Sequence, residues 1–277
     1  MVKIVSWNIA KRKKAWRKLS ESDADFALLQ EANQPPRDIA DSVQIDPQPW
    51  KTAGTKKRPW RAAVVKLSES YDIQWLKPKS LEKAKSGDYA VSRLGTLAAG
   101  VVKLPSKKPI ILVSLYGIWE NHHPICKGNR IHADGSVHRL ISDLSTFIRH
   151  KDEHRIEHRI IAAGDLNILY GYGEGGSSYW GSRYATVFNR LKALGLQFAG
   201  PQAPEGGREA DPWPEELPKT SKNVPTYHTN HQSPETATRQ LDFVFASKSL
   251  IDDMNVRAIN NPKEWGPSDH CRVEIEL

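Results

Sequence analysis

The amino-acid sequence predicts an α/β protein in which helices pack outside a pair of β-sheets. Short runs rich in Val, Ile and Leu recur along the chain, most of them bounded by Gly, Pro, Asn or Asp, which is the pattern of β-strands. Between some of these runs, apolar residues recur at the three-and-four spacing of an amphipathic helix. Many strands combined with a few long helices are typical of layered α/β proteins.

The predicted elements follow one another along the whole chain. The strands are expected at Val2–Ser6, Phe26–Gln30, Ala62–Leu67, Leu97–Leu104, Ile110–Leu115, Arg159–Ala163, Leu241–Ala246 and Arg272–Leu277. One helix is predicted over Val137–Ile148 and another over Ala185–Leu194, where Gly195 provides a stop signal.

Neither an internal repeat nor a low-complexity linker divides the sequence, so we expect one domain over residues 1–277. Two segments rich in Gly, Ser or Pro, about 170–182 and 200–226, are predicted to be loop insertions. For the second of them, a functional loop and a disordered surface insertion are equally open.

The composition describes a globular protein with a basic balance. In 277 residues there are 40 Lys and Arg against 32 Asp and Glu, a formal net charge of +8, with 39% hydrophobic and 26% charged residues. No apolar run approaches the roughly 18 residues of a membrane span. The positive charge favours anionic partners, of which nucleic acid is the commonest, and nothing indicates a membrane or an obligate protein partner.

The cysteine usage excludes two classes of site. Cys126 and Cys271 lie far apart and outside any CxxC motif, so neither a disulfide framework nor a thiolate zinc site is expected. The first residues also lack the pattern of a secretory signal, and a reduced cytoplasmic location is the expectation.

Polar side chains lie within several predicted strands or close to one of their ends. They are Asn8, Glu31, Tyr116, Asp165, Asn167, Asp242, Asp269 and His270. A carboxylate in such a place is costly unless a metal, a cation or hydrogen bonds satisfy it. Any one of them alone is more simply explained as a cap or turn residue, but the whole set is harder to explain that way. Oxygen ligands without a thiolate suit Mg²⁺ or Mn²⁺.

The order and approximate spacing of five short motifs resemble one known superfamily. The motifs are Ser6-Trp7-Asn8, Leu29-Gln30-Glu31, Gly164-Asp165-Leu166-Asn167, Leu241-Asp242-Phe243 and Ser268-Asp269-His270. Their arrangement is similar to that of the endonuclease/exonuclease/phosphatase superfamily, which includes DNase I-like nucleases and exonuclease III-like AP endonucleases. The resemblance implies a four-layer α/β/β/α sandwich and a divalent-metal-dependent nuclease that hydrolyses phosphodiester bonds of DNA, with RNA as the alternative.

The resemblance also implies a metal site and a nucleophile site. Glu31 would be the principal ligand of Mg²⁺ or Mn²⁺, with Asn8 and Asp269 completing or extending the site. Asp165 would orient or deprotonate the attacking water. Asn167, two residues further on, would hold the nucleophile or the phosphate.

Three further residues would act on the scissile phosphate. His270 would contact it, Asp242 would orient the imidazole, and Tyr116 lies where this superfamily has a phosphate-contacting Tyr or His. A tyrosine there is closer to the exonuclease III-like branch. One position departs from the AP endonuclease pattern, because Ala10 stands where an acidic residue is often found.

Basic clusters and one histidine are candidates for contacts with the substrate. The expected contacts are Lys11, Arg12, Lys13, Lys14, Trp60, Arg61 and His228, and residues 56–58 extend the second cluster. Such runs are usually solvated surfaces, but a position next to a phosphate site favours contact with a nucleic-acid backbone.

Two other patterns have simpler explanations than the motifs they match. Residues 171–176 match GxGxxG, but no strand leads directly into them, so a flexible loop beside the site is favoured over a dinucleotide site. His150, His154 and His158 are spaced like zinc ligands on a helix, but the charged segment around them favours a solvated face.

Two other functions stay open at this point. A phosphatase or phosphodiesterase acting on a small-molecule or lipid phosphate would use the same catalytic residues, because substrate choice in this fold depends on loops. A catalytically silent nucleic-acid-binding module would be expected to lack residues such as Glu31, Asp165 or His270, all of which are present.

Overall fold

The computed structural model describes residues 1–52, 59–85, 88–105, 107–121, 125, 131–148, 158–229 and 231–277. Within these ranges the backbone forms two six-stranded sheets, two small two-stranded ladders and five α-helices. Four of the features named in the sequence lie outside the described residues: the basic positions 56–58, Cys126, His150 and His154.

The two large sheets each mix parallel and antiparallel pairs. The first contains, in spatial order, β15 (Asn255–Ile259), β16 (Arg272–Glu276), β1 (Lys3–Asn8), β2 (Phe26–Ala32), β4 (Arg61–Lys66) and β3 (Gln44–Ile45). The second contains β13 (Leu196–Gly200), β14 (Asp242–Ser247), β12 (Ile160–Asp165), β9 (Ile110–Tyr116), β8 (Leu97–Lys103) and β5 (Asp72–Trp75).

The remaining elements are shorter or lie outside the sheets. The ladders pair β6 (Pro78–Ser80) with β7 (Tyr89–Val91) and β10 (Glu120–Asn121) with β11 (Ile131–His132). The helices are α1 (Lys13–Ser20), α2 (Arg37–Ala40), α3 (Asp134–Leu144), α4 (Ser178–Ala193) and α5 (Lys248–Ile251).

Alternating side chains of the strands build a layered core. Residues on one face, such as Phe26 of the first sheet and Leu112 of the second, fill the space between the two sheets. On the outer face of the first sheet, Leu29 packs in a cluster with Trp16 of α1. The outer face of the second sheet packs against α3 and α4. The architecture is therefore the predicted four-layer sandwich, with a helix layer on each side of two facing sheets.

The predicted loop at 170–182 is partly wrong, because α4 already begins at Ser178. The Ser177 side chain accepts a hydrogen bond from the backbone N–H of Trp180 at 3.5 Å, which caps the helix. Trp180, Tyr184 and Val187 then continue a buried stripe at helical spacing. The high Gly and Ser content of the segment is typical of loops, which is why the sequence did not indicate the first turns of α4.

The predicted loop at 200–226 contains no helix and no strand after Gly200, and the structure describes all of it. It is nevertheless packed: Ala203, Leu217 and Val224 are buried, and Ala203 and Val224 share a cluster with Trp265. Of the two interpretations that the sequence left open, a disordered surface insertion is therefore wrong. No helix among the described residues is long and apolar enough to cross a membrane.

Candidate active site

Strand register places three of the predicted site residues side by side in the second sheet. Where β12 pairs with β9, Asp165 lies opposite Tyr116, and where β12 pairs with β14, it lies opposite Asp242. Strands in a sheet are about 4.8 Å apart, so three residues in register on adjacent strands have neighbouring side chains. All three side chains are buried.

The first sheet contributes Asn8 and Glu31 from its parallel strands β1 and β2. Asn8 is the last residue of β1. Glu31 lies in an irregularity of β2 between Leu29 and Ala32, and its backbone has a φ of 45°. Positive φ is uncommon for residues other than glycine, and bulges redirect side chains. The irregularity gives Glu31 a direction that regular alternation would not.

Asp165 is held by two asparagines. Its Oδ2 accepts hydrogen bonds from the Nδ2 of Asn8 at 2.9 Å and the Nδ2 of Asn167 at 3.0 Å, and its Oδ1 accepts one from the backbone N–H of Asn167 at 2.8 Å. Asn167 also donates to the carbonyl of Gly117 at 2.9 Å and has a φ of 52°. The carboxylate joins the two sheets and has a fixed orientation.

His270 forms a buried pair with Asp242. The distance from its Nδ1 to Asp242 Oδ2 is 2.8 Å, and its Nε2 lies 3.8 Å from Asp165 Oδ2. The carbonyl of His270 accepts a hydrogen bond from the indole N–H of Trp7 at 2.9 Å, and the hydroxyl of Ser268 donates to the carbonyl of Asn8 at 2.6 Å. These contacts attach the segment before β16 to the end of β1.

Burial and neighbouring charges shift the pKa of His270 and the pKa of Asp165. Burial opposes a charge on His270, but the carboxylates of Asp242 and Asp165 outweigh it and raise the pKa of His270 to about 10. Burial raises the pKa of Asp165 to about 7, an effect that Asp242 strengthens and His270 opposes. At neutral pH the imidazole therefore carries a positive charge in a fixed orientation.

Glu31 has partners on both carboxylate oxygens. The hydroxyl of Tyr116 donates to Oε1 at 2.9 Å, and the ammonium of Lys11 forms an ion pair with Oε2. The Nζ of Lys11 also lies 5.0 Å from the ring centroid of Trp60, which packs edge-on against Tyr116. A cation thus already stands beside the carboxylate that was predicted to hold the metal.

Six of the eight predicted catalytic and metal-binding residues line one cavity of about 200 Å³, and the other two, Tyr116 and Asp242, are not part of its lining. Its lining includes Asn8, Glu31, Asp165, Asn167, Asp269 and His270. Among the described residues, no three His, Cys, Asp or Glu side chains converge closely enough to hold a metal ion by themselves. Mg²⁺ is commonly bound through one or two carboxylates, with waters and substrate phosphate as further ligands. The oxygen donors of Glu31 and Asp269 fit that mode of binding.

Arg61 was predicted to contact substrate, and the structure shows that this prediction is wrong. Its side chain is 0% exposed and donates to both carboxylate oxygens of Asp46 at 2.8 Å. The guanidinium also lies 4.3 Å from the ring centroid of Trp50. Arg61 begins β4, whose residues are all buried, and it is an internal structural residue.

His228 was also predicted to contact substrate, and it does not line the cavity. Tyr227 and Thr229 do, whereas the His228 ring packs 5.4 Å from the Trp265 ring. Successive side chains of an extended segment point in opposite directions, so only alternate residues here can reach the site.

The four residues of the first basic run have different positions. Lys11 is engaged by Glu31, while Arg12, Lys13 and Lys14 are exposed at and around the start of α1. Trp60 is half-buried beside Tyr116. Their contact with a nucleic-acid backbone stays a prediction.

Six residues of the cavity lining were not predicted as site residues from the sequence: Trp119, Glu174, Tyr227, Thr229, Arg239 and Leu241. Tyr227 is bridged to Arg239 on one side and to His270 on the other, and its ring lies 4.8 Å from the His270 ring. Glu174 belongs to the GxGxxG segment, which was predicted to lie beside the site. That motif was the one available signal for this part of the cavity.

The sequence matches no protein-family model and no curated protein. The structure, however, is similar to solved structures over its whole length. The catalytic domain of Xenopus laevis APE2 has a TM-score of 0.61 at 15% identity, covering 99% of this chain and 91% of that one. The endonuclease domain of TRAS1, a telomere-specific non-LTR retrotransposon, gives 0.59 at 15% identity, with 100% and 98% coverage. The 3′-5′ exonuclease NExo from Neisseria meningitidis gives 0.57 at 16% identity, with 100% and 99% coverage.

The two facing sheets with outer helices are the fold of nuclease-type, DNase I-like proteins. The structural neighbours confirm the four-layer fold that the resemblance of the motifs implied. At 15–16% identity the similarity establishes the fold, and the reaction has to be argued from the site itself.

Proposed function

We propose that this chain is a divalent-metal-dependent nuclease that hydrolyses phosphodiester bonds, with DNA as the favoured substrate and RNA as the alternative. One observation carries the proposal: His270, which is hydrogen-bonded to Asp242, an Asp165 held by two asparagines, and the carboxylates of Glu31 and Asp269 line the same cavity. Phosphodiester hydrolysis needs an oriented water, neutralised phosphate charge and support for the leaving oxygen.

In this proposal each group of the site has one task. Asp165 orients the attacking water and accepts its proton, while Asn8 and Asn167 fix the carboxylate. The water oxygen forms a bond to phosphorus as the ester P–O bond breaks, and the leaving oxygen takes up a proton from solvent. His270 donates a charge-assisted hydrogen bond to a phosphate oxygen, and Asp242 keeps the ring in place.

The metal-binding part of the site would be formed by Glu31 and Asp269 with the amide oxygen of Asn8. When bound, Mg²⁺ or Mn²⁺ neutralises phosphate charge and polarises the P–O bonds. Tyr116 fixes Glu31 through its hydroxyl. Oδ1 of Asp269 lies 3.2 Å from the hydroxyl oxygen of Ser268, whose hydrogen is donated to the carbonyl of Asn8.

The comparisons and the charge balance support a nucleic-acid substrate. The structural neighbours include proteins described as an endonuclease domain, an AP endonuclease and a 3′-5′ exonuclease, and one is described as bound to a product DNA hairpin. The net charge of +8 favours a polyanion.

A second candidate function is a phosphatase or phosphodiesterase acting on a small phosphate ester. The cavity volume of about 200 Å³ favours it, because a space of this size suits a sugar phosphate better than a larger ligand. One structural neighbour is also described as a 3′ phosphatase.

A substrate panel tests the proposal. Wild type and Asp165→Asn would be incubated with Mg²⁺ and plasmid, labelled DNA and RNA oligonucleotides, an abasic duplex and inositol phosphates, with EDTA as the metal control. We expect the wild type to cleave polynucleotide, and the variant or EDTA to abolish it. Hydrolysis of inositol phosphates alone would support the second candidate. Binding of nucleic acid without hydrolysis of any substrate would indicate a catalytically silent binding module.

A further inference from the structure

Arg239 is the only lysine or arginine among the described residues that line the cavity. The other charged side chains of this lining are His270 and the carboxylates of Glu31, Asp165, Glu174 and Asp269. A guanidinium presents a rigid fork of donors that matches the oxygens of a phosphate. Its position on the wall of a phosphate-hydrolysing cavity makes Arg239 a candidate for substrate recognition.

The main chain of Arg239 is fixed relative to His270. Its carbonyl accepts hydrogen bonds from the backbone N–H groups of Thr226 at 2.8 Å and Tyr227 at 3.1 Å. Tyr227 is bridged antiparallel to Arg239 on one side and to His270 on the other. Two strand spacings of about 4.8 Å therefore separate the backbones of the two cationic residues, roughly 10 Å in all.

The side chain of Arg239 is turned towards Glu174. Its Nη2 lies 3.1 Å from Glu174 Oε2, and the two side chains are 39% and 33% exposed. Ion pairs with this degree of exposure contribute little to stability, so a phosphate can replace the carboxylate as the partner of the guanidinium. The guanidinium of Arg239 is thus paired with Glu174 in the absence of substrate and can exchange that partner for a phosphate.

Glycines give the segment 171–176 the shape that places Glu174 there. A Cβ on Gly173 would lie 2.1 Å from the carbonyl oxygen of Ser177, and Gly175 has a φ of 56°. Larger side chains would disrupt the turn just before α4. The GxGxxG pattern therefore has a structural explanation, because it presents Glu174 to Arg239.

We propose that Arg239 binds the phosphate next to the scissile one on a polynucleotide strand, and that Glu174 holds the guanidinium until substrate enters. This inference rests on the proposed nuclease function. With the scissile phosphate at His270, the separation of the two residues and the direction of the guanidinium towards Glu174 assign Arg239 to a different phosphate. The enzyme then selects strands that carry a neighbouring phosphate over isolated phosphate esters.

The test combines a protein variant with a substrate variant. A DNA oligonucleotide with a mapped cleavage site is prepared unmodified, and with a neutral methylphosphonate at the first phosphate on the 5′ or the 3′ side. Wild type, Arg239→Gln and Arg239→Lys are compared at saturating Mg²⁺. Arg257→Gln, which removes an exposed arginine from β15, is the matched control for net charge.

On the unmodified strand, Arg239→Gln should lower kcat/KM about 10- to 100-fold, the range of a hydrogen bond to a charged group, while Arg239→Lys retains part of the activity. On one of the two methylphosphonate strands, the wild type should fall to the level of Arg239→Gln, and the variant should lose little more. Arg257→Gln should behave as the wild type on all three strands.

Several outcomes would overturn the inference while leaving the nuclease function intact. One is an equal loss in Arg239→Gln on all three strands, which would assign Arg239 to the scissile phosphate or to the fold. Another is unchanged kcat/KM in Arg239→Gln. A loss in Glu174→Gln as large as in Arg239→Gln would also overturn it, because the ion pair itself would then be what supports activity. Failure of the wild type to cleave the unmodified strand would instead overturn the proposed function.

Discussion

The buried ion pair of Arg61 and Asp46 allows a direct test of whether Arg61 stabilises the fold or contacts substrate. Both side chains are 0% exposed. Besides its two bonds to the carboxylate, Arg61 donates to the carbonyl of Asp46 at 3.0 Å and to the carbonyl of Ala62 at 2.9 Å. Asp46 Oδ2 also accepts the backbone N–H of Val64 at 2.9 Å. The pair attaches the segment around Asp46 to β4.

Arg61→Met keeps most of the volume of the side chain but leaves Asp46 as a buried charge without its cation. Removing one member of a buried pair costs about 3–5 kcal/mol. At roughly 2–4 °C of Tm per kcal/mol for a chain of this size, Tm should fall by about 6–20 °C. The double variant Arg61→Met with Asp46→Leu removes both charges and should recover a large part of that loss, because no unpaired charge is left.

Thermal unfolding followed by circular dichroism measures these differences, and oligonucleotide cleavage well below Tm measures activity. Arg61→Met should retain kcat/KM within a small factor at low temperature, because Arg61 does not line the cavity. Unchanged Tm together with weakened binding of DNA would refute the reasoning and restore Arg61 as a substrate contact.

Four further predictions follow from the site and its surroundings. Glu31→Gln should lower Mg²⁺-dependent activity at least ~10²-fold. Lys11→Gln removes the ammonium paired with Glu31 and should therefore lower the Mg²⁺ concentration needed for half-maximal activity. A Mg²⁺ titration measures both effects. His270→Ala should reduce kcat more than Asp242→Asn, and the double variant should lose far less than the product of the two effects, since the pair acts as a unit; strictly multiplicative losses would contradict this. Changing Arg12, Lys13 and Lys14 to Gln should flatten the dependence of log K for DNA on log[salt] by about 0.7–0.9 per lost phosphate contact, and an unchanged slope would identify a merely solvated face. Burial lowers the pKa of His158, so the unfolded chain takes up this proton more readily, and the free energy of unfolding should fall as the pH drops below about 6.5; thermal melts of His158→Gln should show a flatter fall.

The strands that carry the site were predictable because each combines two local signals. An apolar run predicts the strand, and a polar residue at its end predicts a special position, as at Asn8, Asp165 and His270. All eight predicted strands are present, and none of their ends is shifted by more than two residues. Short edge strands such as β3, β5 and β15 were missed, because half-exposed strands of two to five residues have little apolar pattern.

The errors concern partners that lie far apart in the sequence. Arg61 follows a cluster of basic residues and looks like part of an exposed patch, while Asp46, which buries it, is 15 residues away and carries no signal of its own. The partners of His158 are also distant in the sequence. Instead of a zinc ligand or a solvated residue, it connects the end of α4 to β14 through the carbonyl of Leu194 at 2.9 Å and the hydroxyl of Ser247 at 2.5 Å.

The cavity residues that the sequence did not predict were missed for a different reason. Tyr227 and Arg239 lie in irregular segments joined by isolated bridges, where neither period 2 nor period 3.6 can indicate which side chain faces the site. Once the bridge to His270 is known, alternation explains why Tyr227 and Thr229 face the cavity and His228 does not. Which alternate residues of an extended segment face the cavity depends on the strand with which the segment pairs, and the sequence alone does not identify that strand.

The charge of the cavity and the charge of the whole chain have opposite signs. The lining holds four carboxylates against Arg239 and His270, whereas the protein as a whole carries +8. A basic surface raises the local concentration of a polyanion, but a phosphate entering an acidic cavity is repelled at short range. Under the proposed function, a divalent cation on Glu31 and Asp269 reverses that repulsion at the place where the phosphate must approach. The metal is then required for substrate to occupy the site as well as for the chemical step, and EDTA should weaken the affinity of Asp165→Asn for a DNA oligonucleotide in addition to abolishing wild-type cleavage.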